Sequence, residues 1–390
     1  MPVELTIVIP CLNEAETLAR CIAKARQGLE RAGVIGEIVV ADNGSDDGSS
    51  RIAEENGARV VRVPSKGYGS ALRGGIAAAQ GRWIIIGDAD DSYDFSQIDG
   101  FVEKLRGGCD LVMGCRLPSG GGQIMPGAMP WKNRWIGNPA LSFLGRLFFQ
   151  TPIHDFHCGL RAFTKEACER MQLVTTGMEF ASEMVIKAAL YGLRVAETPI
   201  TLRKDGRSRP PHLKPWRDGW RHLRFMLIFS PRWLFLLPGL LFAICGALGA
   251  ALIFLAPRTI GSLHLDAGTL TVACLAVIVG VQLVAFAFYT KVFAIAEGLL
   301  PPDERFSRVF RVFTLEKGIA VGALVLLAGL ALLAWAVFAW EQTGFGMLPD
   351  ADNLRRVVTA STLIAVGLEI VFSSFFLSVL GLKTTNRRPP

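Results

Sequence analysis

The residues best suited to chemistry are two aspartates separated by one residue. Asp88 and Asp90 flank Ala89 directly after an apolar run, and Asp91 and Asp94 lie in the same turn. Hard divalent cations such as Mg²⁺ and Mn²⁺ bind carboxylate oxygens, often only one or two from the protein, while phosphates and water complete the shell. A solvated acidic loop would have the same composition, so this triplet needs supporting residues before it indicates a metal site.

Polar side chains also follow three other short apolar runs. They are Asn13 and Glu14, Asp42 and Asn43, and Lys66. In an open sheet of parallel strands, ligands bind beyond the carboxyl ends of the strands. Packing does not explain polar groups at four successive strand ends, so the pattern predicts an enzyme whose site lies at that edge.

The elements that would hold these residues alternate between two types along the first half of the chain. β-branched runs predict strands at 6–9, 38–41, 59–63, 83–86 and 110–113. Stretches with a helical pattern lie between them, at 14–31, 47–56, 70–80 and 97–105. This alternation predicts an α/β, Rossmann-like domain with a mostly parallel sheet covered on both faces.

The second half of the chain is dominated by long apolar stretches, at 233–256, 269–290, 318–340 and 357–382. Each reaches the ~20 residues that cross ~30 Å of hydrocarbon. Four such stretches in series disfavour the buried helices of a soluble core and predict four transmembrane helices. We therefore expect a catalytic domain at 1–212, a juxtamembrane interfacial helix at 213–232 and an α-helical membrane domain at 233–390.

Charge supports the same division. The chain has a formal net charge of +7, and much of the basic excess lies beside the apolar stretches. This placement favours anionic lipid head groups over nucleic acid as the partner. Basic residues precede the first stretch, separate the second from the third and follow the fourth, which predicts cytoplasmic termini and a cytoplasmic catalytic domain. The opening residues have the pattern of a buried strand and not of a signal peptide, in agreement with that orientation.

Three further features complete the reading. The mixture of Arg, His, Trp, Phe and Leu at 216–235 predicts a helix lying at the membrane surface. The segment 143–149 fits equally well a second membrane-touching helix and an amphipathic helix packed on the sheet. Eight cysteines without a CxxC pair indicate neither a disulfide framework nor a zinc site.

Several motifs resemble those of a known family. Three of them stand in order, IPCLNE at 9–14, VADNGSDDGS at 40–49 and GDADD at 87–91. Together they resemble the family 2 glycosyltransferases of GT-A fold. Three later motifs resemble the polyprenyl-phosphate branch of that family, GCR at 114–116, DFHCGLR at 155–161 and RKDGRSR at 203–209. That branch includes the dolichol-phosphate mannose and glucose synthases, and the likeness spans roughly residues 4–225.

The resemblance implies roles for individual residues. It implies a donor-binding set made of Pro10, Asn13, Glu14, Asp42, Lys66, Asp88, Ala89, Asp90, Arg203 and Arg209. Pro10 and Glu14 would line the nucleoside pocket and Asp42 would hold the base or ribose, while Asp90, next to Asp88, would bind Mg²⁺ or Mn²⁺. Arg203 and Arg209 would close over the donor diphosphate.

The acceptor side is implied in the same way. Arg116 would meet the acceptor phosphate, and Asp155 would help to position the acceptor or the sugar. Apart from the resemblance, the position of Lys132 and Arg134 between Trp131 and Trp135 suggests that they reach either that phosphate or lipid head groups, although a solvated basic loop fits them as well. The catalytic set is therefore Asp88, Asp90, Arg116 and Asp155.

Three residues depart from the family pattern. Asn43 stands in place of a more usual Asp, Cys115 in place of Ser, and Ser92 where mannose-synthase relatives often have Gln beside the metal. The change at Ser92 leaves the donor and a third metal ligand open.

The chemistry implied is an inverting transfer of a hexose from UDP-glucose or GDP-mannose to a polyprenyl or dolichyl phosphate at the cytoplasmic face. A lipid phosphate is already anionic near neutral pH, so it needs placement and charge neutralisation more than a strong base. The guanidinium fork of arginine matches phosphate geometry. We therefore expect no covalent enzyme intermediate.

Two alternatives remain beside this hypothesis. A processive polysaccharide synthase would carry QxxRW, whereas Trp131 and Phe229 stand where the two Arg-Trp pairs would require Gln. A transferase fused to a translocator of the lipid-linked sugar is the other alternative, with few ionisable residues in the spans to support ion coupling. The role of Glu369, inside the fourth span, and the presence of a homo-oligomer stay open.

Overall fold

The computed structural model describes residues 2–208, 215–255, 257–304, 306, 308, 314–346 and 351–382. The chain divides into two compact units, Met1–Ile228 and Phe229–Pro390. The boundaries expected from the sequence, after residues 212 and 232, lie on either side of this division.

The first unit is built on a seven-stranded sheet. Its strands are β1 (Leu5–Cys11), β2 (Gly36–Asp42), β3 (Arg59–Arg62), β4 (Trp83–Ile86), β5 (Leu111–Cys115), β7 (Arg161–Thr164) and β8 (Val195–Pro199), while β6 (Gln123–Ile124) and β9 (Thr201–Leu202) pair separately. The order is β3-β2-β1-β4-β7-β5-β8. Only β7 runs antiparallel to its neighbours β4 and β5 within this sheet, so the predicted mostly parallel sheet is confirmed.

Helices cover both faces of the sheet. They are α1 (Leu18–Arg31), α2 (Ser49–Glu55), α3 (Tyr68–Ala78), α4 (Asp99–Arg106), α5 (Asn138–Phe149), α6 (Lys165–Met171), α7 (Phe180–Leu190) and α8 (Pro215–Ile228). Every residue of β1 is buried, as expected for a central strand covered on both sides. A Cβ on Gly28 of α1 would collide with the carbonyl oxygen of Phe95, so this glycine lets α1 pack directly on the turn after β4.

Two segments bear on the sequence predictions. Helix α1 begins at Leu18 and not at residue 14, because the amides of Glu14 and Ala15 donate to Ser49 Oγ and Asp47 Oδ2 of the neighbouring loop. Helix α5 contains the segment 143–149 and leaves Phe143 and Leu147 exposed on one side. Its contact with a membrane stays a prediction.

The second unit consists of long apolar helices. Within the described residues, four helices are long and apolar enough to cross a membrane. They are α9 (Leu237–Phe254), which a π-helical turn precedes, then α10 (Ala267–Ala296), α11 (Leu315–Glu341) and α12 (Ala351–Leu382), with a short hairpin of β10 (Arg258–Ile260) and β11 (Leu263–Leu265) between α9 and α10. The predicted four-helix membrane domain is confirmed.

Small residues let these helices approach closely. A Cβ on Gly246 of α9 would lie 2.6 Å from the carbonyl oxygen of Ala273, and one on Gly322 of α11 would lie 2.8 Å from that of Gly367. Tyr289 of α10 donates a hydrogen bond of 2.6 Å to Ser373 of α12. Such small-residue contacts and interhelical hydrogen bonds are the usual means of helix association in lipid.

Candidate active site

The turn after β4 presents the two aspartates in different surroundings. Asp90 accepts hydrogen bonds at Oδ1 from the amide (3.0 Å) and the hydroxyl (2.6 Å) of Ser92. Asp88 accepts one from the Tyr68 hydroxyl (3.0 Å) at the start of α3. Ser92 therefore fixes the rotamer of Asp90, and Tyr68 that of Asp88.

The electrostatics of this turn favour a bound cation. Burial, and after it the charge of Asp90, raises the pKa of Asp88 to about 6. A carboxylate held at this cost is stabilised by positive charge nearby. In the part of the chain that the structure describes, no three His, Cys, Asp or Glu side chains cluster as a complete metal cage. Two carboxylates nevertheless fit Mg²⁺ or Mn²⁺, which commonly take one or two from the protein and the remainder from phosphates and water.

The loops after β1 and β2 are tied to each other. Asn13, with φ of 58°, accepts at Oδ1 from the Asp46 amide (2.9 Å), and its own amide donates to Ser45 Oγ (2.9 Å). Asp42 accepts at Oδ1 from the Ser45 amide (3.0 Å). Pro10 pairs with Ala41 within the sheet. Asn13 thus holds the loop that carries Asp42, which is a structural task beside its expected donor role.

The hydrogen bonds of Asn43 explain why an asparagine stands where the family more usually has an aspartate. Its side-chain nitrogen donates to the carbonyls of Val63 (2.9 Å) and Ser65 (2.7 Å), and its side-chain oxygen accepts from the Gly67 amide (2.8 Å). An aspartate could not donate to either carbonyl. Lys66 Nζ donates to the carbonyl oxygen of Asn43 (2.8 Å), so Asn43 organises the loop that leads into α3.

Arg116 and Asp155 form a buried, two-pronged ion pair. Arg116 Nε lies 2.7 Å from Asp155 Oδ2, and Nη2 lies 2.8 Å from Oδ1. Burial lowers the pKa of Arg116, but the charge and hydrogen bonds of Asp155 together with Tyr93 and Cys158 outweigh burial, and the pKa is raised well above its usual value. Glu197 of β8 accepts hydrogen bonds from the backbone amides of His154 (2.7 Å) and Asp155 (2.9 Å). These bonds fix the backbone that carries the Asp155 side chain.

Tyr93 joins this pair to the aspartate turn. Its hydroxyl receives the Gly159 amide (2.9 Å) and lies 3.4 Å from Arg116 Nη1. A Cβ on Gly159 would lie 2.7 Å from Asp88 Oδ2, so any side chain at this position would clash with the Asp88 carboxylate. Asp88 and Arg116 therefore lie near each other, with Tyr93 and Gly159 between them.

The segment 203–208 folds onto the aspartate turn. The amides of Arg203 and Gly206 donate to the carbonyls of Ser92 (2.9 Å) and Asp90 (2.9 Å). Arg203 Nη2 lies 3.0 Å from Asp94 Oδ2. Arg209, the other arginine expected at the donor diphosphate, lies outside the described residues.

Comparison with known proteins identifies the family. The model of glycosyl transferase family 2 matches residues 6–171, and that of the glycosyltransferase family 2 C-terminal transmembrane region matches residues 288–381. The low-salt glycan biosynthesis hexosyltransferase Agl6 of Haloferax volcanii is 37% identical over 384 residues, which cover 97% of this chain and 89% of that protein. The chain belongs to glycosyltransferase family 2.

Other similar proteins cover little more than half of the chain. A dolichyl-phosphate hexose transferase of Haloferax volcanii is 29% identical over 216 residues, or 55% of this chain and 89% of that protein. Among solved structures, glucosyl-3-phosphoglycerate synthase from Mycobacterium tuberculosis, in complex with Mn²⁺, UDP and glucosyl-3-phosphoglycerate, aligns with a TM-score of 0.46 at 21% identity, over 58% of this chain and 80% of that one. The chain is a glycosyltransferase and an integral membrane protein.

Two residues expected at the acceptor of this glycosyltransferase lie on a different element. Lys132 and Arg134 stand at the π-helical turn Asn133–Gly137 before α5. The Arg134 guanidinium lies 5.3 Å from the ring centre of Trp135, which is exposed, as is Trp131. Their contact with an acceptor phosphate stays a prediction.

Four side chains that shape the glycosyltransferase site are not predicted from the sequence. Tyr68 and Tyr93 support Asp88 and Arg116, and no spacing rule identifies a buried tyrosine as such a support. Glu197 lies in a strand that was not predicted. Arg207 stands inside the motif at 203–209, yet only Arg203 and Arg209 of that motif were given a role. Position within the motif was the available signal for Arg207.

Proposed function

We propose that this glycosyltransferase moves a hexose, with inversion, from UDP-glucose or GDP-mannose to a polyprenyl or dolichyl phosphate at the cytoplasmic face of a membrane. The observation that carries the proposal is the short chain of contacts from Asp88 through Gly159 and Tyr93 to Arg116. Paired carboxylates suited to a cation lie on one side of Tyr93 and Gly159, and a carboxylate-anchored arginine lies on the other. Two anionic substrates need this arrangement in order to approach one another.

The donor side would neutralise the leaving diphosphate. Asp90 and Asp88 would hold Mg²⁺ or Mn²⁺, which supplies Lewis-acid stabilisation of the charge that develops on the diphosphate. Arg203 stands beside this turn, 3.0 Å from Asp94, and can turn its guanidinium to the phosphates. Asp42 and Glu14 border the strand ends where the nucleoside would lie.

The acceptor side would place the nucleophile. Asp155 holds Arg116 in one orientation, which leaves the outer N–H groups of the guanidinium for a phosphate oxygen. That oxygen attacks the anomeric carbon as the bond from this carbon to the diphosphate oxygen breaks, so the electron pair leaves with the nucleoside diphosphate. Alignment of the two substrates should supply much of the rate. The relative named as a dolichyl-phosphate hexose transferase supports a lipid phosphate as acceptor.

The test uses the purified full-length chain in detergent micelles. Radiolabelled UDP-glucose and GDP-mannose are each incubated with a short-chain polyprenyl phosphate and Mn²⁺, and label is followed into the organic phase. We expect one of the two donors to give a product with a single hexose, with loss of about a hundredfold or more in rate for Asp90→Asn and with EDTA.

The control is Glu55→Gln, which removes an exposed carboxylate on α2 and should leave the rate unchanged. Transfer that persists in EDTA would contradict the metal role. A product with many hexoses would favour the processive synthase instead. Absence of transfer to the lipid, with transfer to another acceptor, would contradict the choice of acceptor.

A further inference from the structure

Arg207 forms an ion pair with Asp90, the carboxylate expected to bind the cation. Its Nη2 lies 2.7 Å from Asp90 Oδ2 and its Nη1 lies 2.9 Å from Glu14 Oε1, with Nε 3.5 Å from Asp205. The side chain is only 11% exposed. The guanidinium thus bridges the carboxylate expected to bind the metal and one expected to border the nucleoside.

The backbone around Arg207 holds it in this position. The Gly206 amide donates to the Asp90 carbonyl (2.9 Å). The amide and hydroxyl of Ser208 donate to the two carboxylate oxygens of Glu16, at 2.8 and 2.5 Å. These bonds on both sides of Arg207 fix the segment 203–208 over the aspartate turn, so the placement of the guanidinium is not that of a freely moving surface arginine.

The charge of Arg207 is secure in this setting. Burial lowers the pKa of Arg207, but the carboxylates of Asp90, Glu14 and Asp205 outweigh burial and raise the pKa above its usual value. Ser92 already occupies Asp90 Oδ1. A divalent ion at Oδ2 would stand within a few ångströms of a permanent positive charge, and two such charges repel strongly at a partly buried site.

We infer that Arg207 takes the place of the divalent cation at Asp90 in the absence of ligands, and that it leaves Asp90 when cation and donor bind together. This inference rests on the proposed function. The incoming diphosphate provides the exchange partner, since a guanidinium fork pairs with phosphate oxygens as well as with carboxylates. Asp90 would then be free to hold the cation, while Arg207 would turn from Asp90 to the phosphates.

Coupled binding follows from this exchange. Without a diphosphate, a cation must displace Arg207 from Asp90 and leave it with Glu14 and Asp205 alone, so the cation binds weakly. With a diphosphate, the displaced guanidinium regains an anion, and both ligands bind more tightly. Arg207 thereby couples the binding of the cation to the binding of the donor.

The test measures binding of Mn²⁺ alone to the full-length chain in detergent, from the electron paramagnetic resonance signal of free Mn²⁺, with and without UDP. We expect Arg207→Gln to bind Mn²⁺ about tenfold more tightly than the native chain without UDP. The gain on adding UDP should shrink by the same factor, and Arg207→Lys should lie between the two. Arg20→Gln is the matched control, because Arg20 is 56% exposed and lies 3.8 Å from Asp91.

The outcomes separate the inference from the proposed function. Equal Mn²⁺ affinity in the native chain and Arg207→Gln, or an equal gain in Arg20→Gln, would overturn the inference and leave the transferase intact. If the native chain bound no Mn²⁺, or if Asp90→Asn bound Mn²⁺ as tightly as the native chain, both the metal-dependent transfer and the inference would be contradicted.

A second measurement needs no variant. Hydrogen exchange of residues 203–208 in the native chain should become faster with Mn²⁺ alone, because Arg207 is displaced, and slower with Mn²⁺ and UDP together. Exchange that Mn²⁺ alone leaves unchanged would overturn the inference even if Arg207→Gln failed to fold.

Discussion

At the scale of single residues, the Tyr68 hydroxyl supports the charged form of Asp88. Its hydrogen bond to Asp88 opposes the burial that raises the pKa of this carboxyl. Tyr68→Phe should therefore raise that pKa further and weaken Mn²⁺ binding and transfer about tenfold, since a hydrogen bond to a charged group contributes ~1.5–3 kcal/mol. Mn²⁺ titration at pH 7 with transfer assays would measure this.

The control for that change is Tyr191→Phe, which alters a tyrosine at the end of α7. It should leave Mn²⁺ affinity and rate as in the native chain. A normal Mn²⁺ affinity in Tyr68→Phe would show that the tyrosine does not support the carboxylate.

Asn43 offers a second prediction at this scale. Asn43→Asp restores the more usual residue of the family but removes the donor to the carbonyls of Val63 and Ser65. Removing the side-chain donor from these two partly buried hydrogen bonds, beside a new charge, should destabilise the first unit by ~1–2 kcal/mol. Thermal unfolding of the two proteins would measure it, and an unchanged midpoint would contradict it.

Asn43 and Arg207 show how far the site can be predicted from the sequence. The aspartate pair and the arginine motif could be predicted, because strand-end position and motif order carry the information. The partners of those groups could not. Whether Asn43 binds a ligand or a loop, and whether Arg207 faces solvent or Asp90, depends on chain segments that meet only in three dimensions.

At the scale of elements, helix α8 is held on α7 by two neutral histidines. His222 of α8 lies 2.8 Å, through Nδ1, from Ser182 Oγ of α7, and its ring centre lies 4.5 Å from that of His157. Burial lowers the pKa of His222 to about 4, although Asp218 and Glu179 oppose the shift, and it lowers the pKa of His157 well below its usual value. The folded unit therefore keeps both rings uncharged near neutral pH.

This gives a pH dependence with a definite sign. Between pH 6.5 and about 4 the unfolded chain binds a proton at His222 that the folded chain does not, so stability falls as the pH falls through this window. Above pH 6.5 the His222 contribution is flat. His222→Gln should reduce the loss of melting temperature between pH 7.5 and pH 5, measured by intrinsic fluorescence. An equal loss in both proteins would contradict the assignment.

The strands after β5 were not predicted from the sequence, and for β7 there is a physical reason. The parallel strands β1 to β5 follow β-branched runs that propensity detects, whereas β7 enters antiparallel between β4 and β5. Arg161 begins β7 and is completely buried, its guanidinium donating to the carbonyls of Cys158 and Ala181. An arginine at that position suggests an exposed loop by pattern, because the carbonyls that satisfy it come from other segments.

At the scale of the whole molecule, hydropathy located the four spans to within a few residues. The second predicted stretch, 269–290, lies inside α10 (Ala267–Ala296). The helix continues past the apolar run to Ala296. Lys291, in this last part, lies 2.6 Å from Asp303. A helix that crosses the hydrocarbon of a membrane needs ~20 apolar residues, and such a stretch can be recognised in the sequence. The ends of the helix depend on polar contacts, which the hydropathy pattern does not show.

Orientation is the prediction that belongs to the whole chain. Nucleotide sugars reach a transferase from the cytoplasm, and the basic residues before α9, such as Arg221 and Arg224, favour the same side. The hairpin between α9 and α10 should then lie across the membrane from the first unit. Added cysteines would be treated with an impermeant maleimide in intact cells of the expression host. His264→Cys should react at once, and Glu55→Cys only after lysis, with the native chain as the baseline for its own thiols. If Glu55→Cys reacted in intact cells and His264→Cys did not, the catalytic unit would lie on the outer side, where no cytoplasmic donor could reach it.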